Sequence, residues 1–361
     1  MKQIIKEVAN KLGIDTVGIN SCIDYSYLRE FLLKRKINKE DCEFEEVNID
    51  KRLRARNLFP ECKSIIAIGI PYGRGYRLPA FTGKGLLSVS SFGEDYHKRI
   101  KRLLNKLAEE LNKYLSFKYV DCVDTSFLID KEVCRTAGLG DYGKNSLLIN
   151  KYQGSFINLG YLLTDLEIEG DTIESKDVCG NCNICVISCP NGAIFPEGGI
   201  NARKCISYLT QTKNYIPLNY REKMGRQIYG CDICQLVCPK NKEFLNEETN
   251  NDYSTLSVDL EELLSISNKD FVKRYGHTAG SWRGKNIWKR NAIISMGNLK
   301  LKSMFPLLKY ELSNPSEMIK IYTAWSLLEI DRNSAKDILF NDLKYENESV
   351  KKEYLKLLES I

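Results

Sequence analysis

Eight of the thirteen cysteines fall between Cys179 and Cys238, seven of them in two irregular runs. The first, CGNCNICVISCP, spaces Cys179, Cys182, Cys185 and Cys189 as C-x2-C-x2-C-x3-C-P. That spacing suits a [4Fe–4S] cube: a tight turn brings three thiolates to three corners, and the cysteine before the proline points away toward a second cube. The second run, GCDICQLVCP, has Cys231, Cys234 and Cys238 but lacks a first cysteine. By pseudo-symmetry it should give three ligands to the second cluster and return one to the first. Cys205, in NARKCISYLTQTK, is the only spare cysteine in this region. The spacing therefore assigns Cys179, Cys182, Cys185 and Cys238 to cluster one, and Cys189, Cys205, Cys231 and Cys234 to cluster two. Two zinc sites of four thiolates each are the alternative, but zinc gives no reason for the two Cys-Pro junctions. Cys22, Cys42, Cys62, Cys122 and Cys134 are scattered singly and read as buried or incidental thiols.

Clusters pass electrons singly and have no substrate pocket, so the chemistry must lie elsewhere. Residues 1–166 read as α/β. SIIAIGIPY (Ser64–Tyr72) is a buried-strand run, FKYVDCVD and SFINLGYLLTDLEI read as further strands, and from Tyr96 apolar residues recur at helical spacing. GLGDYG (Gly138–Gly143) approaches a dinucleotide fingerprint but follows a helix-like stretch, not a strand. EIEGDTIESKD (Glu167–Asp177) reads as a linker. The expected division is an α/β catalytic domain over 1–166, a two-cluster domain over 167–245 and a helical region over 246–361. In the last region RNAIISMGNLKLKSMFPLLKYEL resembles YTAWSLLEIDRNSAKDILFNDL, with Ala292 and Ala324 32 residues apart. Paired helices at that offset suggest HEAT-like repeats, although their usual period is about 40–47 residues; an ordinary helical bundle is the plainer alternative.

The 361 residues carry a net charge of +6 and no stretch near the roughly 20 apolar residues that a membrane helix needs. The first residues lack a secretory or twin-arginine pattern, so a cytoplasmic location is expected, where disulfides are rare. Positive charge is focused in VKRYGHTAGSWRGKNIWKR (Val272–Arg290), with six Lys or Arg, no acid, and Tyr275, His277, Trp282 and Trp288 interleaved. Such a stretch suits phosphates and unpaired bases, although a charge run is more often just a solvated face.

VDTSFLIDKEVCRTAGLGDYGKNSLLI, the cysteine pattern, NARKCISYLTQTK and GHTAGSWRGKNIWKRNA together resemble the epoxyqueuosine reductases, over nearly the whole chain. The resemblance implies a cobalamin-binding domain, a bacterial ferredoxin-like domain with two [4Fe–4S] clusters, and a helical tail that contacts tRNA. The core is also similar to that of reductive dehalogenases. The implied reaction turns the epoxide of a modified wobble base into an alkene, using two electrons and two protons and releasing water, with electrons passing from a low-potential donor through the clusters and cobalamin. Asp124, at the family's "VDT" position, is implied as proton donor, with a carboxyl that nearby apolar residues and a bound corrin would raise; Asp121 and Asp130 are the nearby decoys. Arg52, Leu148, Leu159, Ser207, Cys231, Asp232 and Asp124 are implied cobalamin contacts. Lys213, His277, Ser281, Arg283 and Lys285 are expected to meet tRNA. Ser88 stands where some members have cysteine, so a role needing a thiol does not carry over. Only His97 and His277 exist, and DYHKRI misses the cobalt-ligating D-x-H-x-x-G pattern at Ile100, so cobalamin is expected base-off without a histidine ligand. A monomer is expected. The rivals are a reductive-dehalogenase-like corrinoid enzyme and a ferredoxin-like electron carrier with an interaction tail.

Overall fold

A computed structural model describes residues 1–21, 23–79, 83–171 and 176–360. Cys22 and the centre of the expected linker, residues 172–175, lie outside the described residues. The chain forms two compact units: Met1–Arg77 with Glu94–Cys205 and Asp232–Asn251, and Leu78–Gly93 with Ile206–Cys231 and Asp252–Ile361. No helix among the described residues is long and apolar enough to cross a membrane.

The first unit is built on a four-stranded sheet in the order Thr16–Asn20, Ser64–Pro71, Ile157–Thr164, Tyr119–Cys122. Every pairing is antiparallel, which corrects the α/β reading of residues 1–166: the sheet of this unit is of the α+β kind. Ser64–Pro71 is apolar at successive positions because both its faces are covered. Ile66 and Ile68 pack with Ile5 of the Lys2–Lys11 helix and with Ile100, Leu104 and Leu107 of the Tyr96–Leu111 helix. Ile65 and Ala67 face the opposite core with Tyr25, Leu53, Val133 and Tyr161.

The cysteine-bearing helices Ile184–Ser188 and Ile233–Leu236 pack on each other within this unit. A buried amide lock fastens the second of them to the body. Asn241 accepts from the Ser155 N–H at 2.7 Å and donates to the Gln235 carbonyl at 2.7 Å, while Ser155 Oγ donates to Gln235 Oε1 at 3.1 Å. Gly154, at φ +58°, makes this possible: a Cβ there would lie 1.9 Å from Asn241 Oδ1.

The second unit pairs Lys84–Leu87 in parallel with Gln227–Tyr229 and antiparallel with Ser257–Asp259. Its helices include Lys285–Asn298 and Glu317–Ile330, which pack together and bury Ala292 and Ala324 completely. Both helices are buried nearly all round; Glu317–Ile330 is mainly apolar, while Lys285–Asn298 also buries Lys289, Arg290, Asn291 and Ser295.

Candidate active site

Asp124 follows the Tyr119–Cys122 strand in a left-handed conformation, φ +49°. Aspartate tolerates that region better than most side chains, yet it remains an unfavourable one, and such residues persist where surrounding contacts hold them. The contacts come from the start of the Tyr96–Leu111 helix. Tyr96 donates its hydroxyl to Asp124 Oδ2 at 2.6 Å, and His97 Nε2 lies 3.7 Å from the same oxygen. Asp95 is the N-cap of that helix; its carboxylate accepts the His97 N–H at 3.0 Å and also holds His97 Nδ1 at 2.7 Å. One aspartate thus caps the helix and aims the imidazole.

The Asp124 side chain is 66% exposed. Desolvation works to raise its carboxyl, but His97 and Tyr96, then the charges of His97 and Lys131, outweigh it and hold the group below the ordinary carboxylate value. The apolar-neighbour part of the expectation is therefore corrected: the protein groups around Asp124 are donors and cations. The raised carboxyl in this region is Asp130, pushed up to about 6 by burial first and by the Asp124 charge next. Asp130 accepts from Tyr161 Oη at 2.5 Å and from Ser126 Oγ at 3.2 Å, at the first residue of the Asp130–Thr136 helix, so it anchors the Asp124 turn from beneath. Asp121 is a strand residue 3.4 Å from Lys101.

The Asp130 shift has a stability consequence. Between the ordinary value of 3.8 and about 6 the folded chain binds more protons than the unfolded chain, so stability falls as pH rises through that window. Asp130→Asn should flatten the slope, with roughly 1.4 kcal/mol at stake per pKa unit. Melting temperatures of both proteins across that window test this, and parallel curves would reject it.

The thiols of Cys179, Cys182, Cys185 and Cys238 lie near enough to feel one another's charge. Burial first, then the charges of Cys179, Cys238 and Cys182, push the Cys185 thiol up, and Cys238 is raised by burial with Cys179 and Cys182 contributing. Mutual repulsion of this kind is what bound iron would offset. Backbone N–H groups reach two sulfurs: Lys144 donates to Cys179 Sγ at 3.4 Å and Ala193 to Cys189 Sγ at 3.3 Å. The glycine-rich stretch read as a near-fingerprint is thus a hairpin, Asp141–Tyr142 against Leu148–Ile149, whose turn bonds a cysteine sulfur. Sequence reasoning missed this role, and no local signal carries it. Cys205 ends its segment of the first unit, with Cys189 and Cys234 in the same unit and Cys231 in the second. Cys62, Cys122 and Cys134 are buried and Cys42 is partly so.

Of the other implied cofactor contacts, Arg52 is 13% exposed and places Nη1 2.7 Å from Glu45, which also binds Arg35 at 3.0 Å. Leu148 is 3% exposed and packs in the core, so its side chain faces protein; Leu159 is partly buried beside it. Asp232 is buried at the start of the Ile233–Leu236 helix. In the second unit, the Ser207 carbonyl accepts from Thr210 and Gln211, and Ser88 is buried with its hydroxyl 3.0 Å from Ser90 Oγ.

The basic stretch divides in two. Arg290 is fully buried and donates to the Thr212 and Leu209 carbonyls at 2.6 and 2.8 Å, while Asn291 donates to the Thr210 and Ile228 carbonyls. Lys289 is buried against Glu311 at 2.7 Å, and Arg274 pairs with Glu262. Trp288 is fully buried and packs on Phe271 and Tyr275. Arg290 and Asn291 thus fix the 209–228 backbone rather than face solvent, Trp288 is helix core, and the reading of Tyr275 as a stacking platform is corrected. Lys273, Arg274, Lys213, His277 and Trp282 reach the surface, with Ser281, Arg283 and Lys285 half-buried. The Arg283 guanidinium lies 3.9 Å over the Trp282 ring.

Residues 178–241 match the family described as a 4Fe-4S double cluster binding domain, which makes the class that of double-cluster iron–sulfur proteins. Residues 52–125, from Arg52 through the Asp124 turn, match the family described as Epoxyqueuosine reductase QueG, DUF1730. The epoxyqueuosine reductase of Lactococcus garvieae is 41% identical across 85% of this chain and 90% of its own length. This chain belongs to the epoxyqueuosine reductase family and is an oxidoreductase. A crystal structure of an epoxyqueuosine reductase with an epoxyqueuosine-modified tRNA-Tyr stem loop aligns with a TM-score of 0.91 at 34% identity, over 99% of this chain and 98% of that one. The Bacillus subtilis reductase, with an aspartate catalytic loop swung out of its active site, aligns with a TM-score of 0.91, also at 34% identity, over 99% and 98%.

Proposed function

We propose that this enzyme reduces epoxyqueuosine to queuosine at the wobble position of tRNA, with Asp124 as proton donor. The observation that carries this reading is the Asp124 turn. A carboxylate is held in an unfavourable backbone conformation by a tyrosine hydroxyl and an imidazole, and the related Bacillus subtilis enzyme has a catalytic aspartate loop that moves. Breaking an epoxide C–O bond leaves an alkoxide, which a carboxyl within hydrogen-bond reach can protonate. At rest Asp124 favours the ionised form, so the substrate must exclude water from it before it can donate.

Two [4Fe–4S] clusters fit the donor set: Cys179, Cys182, Cys185 and Cys238 for one, and Cys189, Cys205, Cys231 and Cys234 for the other. Cobalamin fits the polar residues present, because its amide-rich rim needs donors and Arg52 carries a fork of them, with Nη1 alone on Glu45. Asp232, Ser207, Cys231, Asp124 and the main chain at Leu148 and Leu159 complete the proposed contacts. His97 faces two carboxylates, which accords with base-off binding without a histidine ligand. When bound, cobalamin supplies low-potential electrons to the substrate. The working division is 1–166 for catalysis, 167–245 for the clusters and 246–361 as HEAT-like helical pairs contacting tRNA, in a cytoplasmic monomer fed by an external low-potential donor. The test is conversion of epoxyqueuosine tRNA by reconstituted enzyme with cobalamin and a chemical reductant, read by nucleoside mass spectrometry. No queuosine from protein with full clusters would overturn the reading.

The Trp282–Arg283 stack offers a flat cationic surface to an unpaired base, with Lys285, Lys213, His277 and Ser281 as its polar neighbours in the proposed footprint. Changing Arg283 and Lys285 together to Ala should weaken tRNA binding and reduce its log–log salt slope by about 1.4 to 1.8, at about 0.7 to 0.9 per lost phosphate contact. Affinity for a cognate tRNA at several salt concentrations measures this. An unchanged slope with a lowered melting temperature would assign both residues to structure alone.

A further inference from the structure

Deleting an epoxide oxygen as water consumes two electrons and two protons: both C–O bonds break, a C=C bond forms, and the oxygen takes both protons. On the reading that Asp124 is the donor, an ionised Asp124 must receive each proton before it can pass it on. We infer that His97 is the source of both protons, each delivered in turn through Asp124, and that Asp95 and Tyr96 position this pair.

The geometry supports a relay. His97 Nδ1 is held by Asp95 at 2.7 Å, which fixes the ring and leaves Nε2 aimed at Asp124 Oδ2, 3.7 Å away. A movement of less than about 1 Å would bring that pair into hydrogen-bond range. Tyr96 is stacked on His97, ring centroids 4.0 Å apart, and donates to the same Asp124 oxygen, so one face of the carboxylate is committed to this dyad. Burial pulls the imidazole down, but the carboxylates of Asp124 and Asp95 outweigh it and hold His97 above the ordinary imidazole value. Lys131 is the other cation bearing on Asp124. Below the His97 midpoint, the spare proton sits on His97 while Asp124 favours the ionised form. As substrate excludes water, the proton passes to the carboxylate and on to the alkoxide. In the first protonation Asp124 gives up the proton it has received, and in the second the hydroxide leaves as water with a further proton arriving by the same route after His97 is recharged from solvent. The two electrons come from the reduced cofactors of the proposed function.

Two measurements test this on the full chain with its clusters oxidised and in place. The chain has only two histidines, so ring NMR signals can be assigned with His277→Gln. His97 should titrate above the ordinary value, and its midpoint should fall in Asp124→Asn and in Asp95→Asn. An unmoved midpoint in Asp124→Asn would overturn the pairing whatever the substrate. Single-turnover product formation should fall as pH rises through the His97 midpoint, because only the imidazolium can donate. His97→Gln should be slower by about 10- to 100-fold near neutral pH and lose that limb of the profile. A His97→Gln enzyme with the wild-type pH profile would overturn the relay while leaving the reductase reading intact. A wild-type enzyme that makes no queuosine would overturn the reductase reading and, with it, the relay.

Discussion

On the proposed function, Asp124→Asn should load with iron and cobalamin as the unchanged protein does and lose about 10²–10⁴-fold of its turnover, the usual worth of a positioned general acid. The substitution is chosen because the amide occupies the same space, and asparagine tolerates a positive φ as aspartate does. It still offers an oxygen to the Tyr96 hydroxyl, so the turn should hold its place. What it lacks is a proton that can be transferred. Quantifying queuosine by nucleoside mass spectrometry under single-turnover conditions gives the rate, and the absorption of clusters and cobalamin confirms that the variant is loaded. Near-normal product formation would move the acid elsewhere. The first place to look would then be Asp130, whose carboxyl titrates near 6 and lies beneath the same turn. Asp130→Asn separates the two: if Asp130 only anchors the turn, its loss should alter stability against pH far more than it alters the rate.

The double-cluster domain was legible because its chemistry is local: three thiolates must sit on one tight turn, and the sequence spells the turn out. The central strand was legible for a similar reason, since a run apolar at every position has to be covered on both faces. Charge and aromatic content were poorer guides. Lys289, Arg290 and Trp288 read as a nucleic-acid surface, yet they lie inward because the Lys285–Asn298 helix is enclosed and its polar residues cap backbone carbonyls from other segments. The alternation of Ile287, Ala292, Ile293, Ile294 and Met296 around that helix was the available sign that no face is left for solvent. The environment of Asp124 was not legible at all. Its partners Tyr96 and His97 stand 28 and 27 residues earlier, and DYHKRI reads only as a missed cobalt-ligating pattern, whereas Asp95 is the N-cap of the helix. That the cap also aims an imidazole at a carboxylate depends on how helix and strand pack, which no local pattern encodes.

Cys205→Ser should retain about four of the roughly eight irons that two [4Fe–4S] clusters contain. The reason lies in how the thiols are grouped. Cys179, Cys182, Cys185 and Cys238 bear on one another, so the cluster they hold should not notice a change at Cys205. Cluster two would be reduced to Cys189, Cys231 and Cys234, and a serine hydroxyl is a far weaker iron ligand than a thiolate. Turnover with a reductant that must pass electrons through both clusters should fall with the iron. Cys42 is the informative control. It is partly exposed, and its neighbour Asp41 is tied to Arg203 at 2.9 Å, two residues before Cys205. Cys42 is thus the other thiol tethered near this segment. If Cys42→Ser loses half the iron and Cys205→Ser retains all of it, the displaced ligand has been misassigned by one loop. If Cys205→Ser alone loses it, the missing first cysteine of the second run has been found 26 residues upstream of Cys231, where the chain returns to close the second cube.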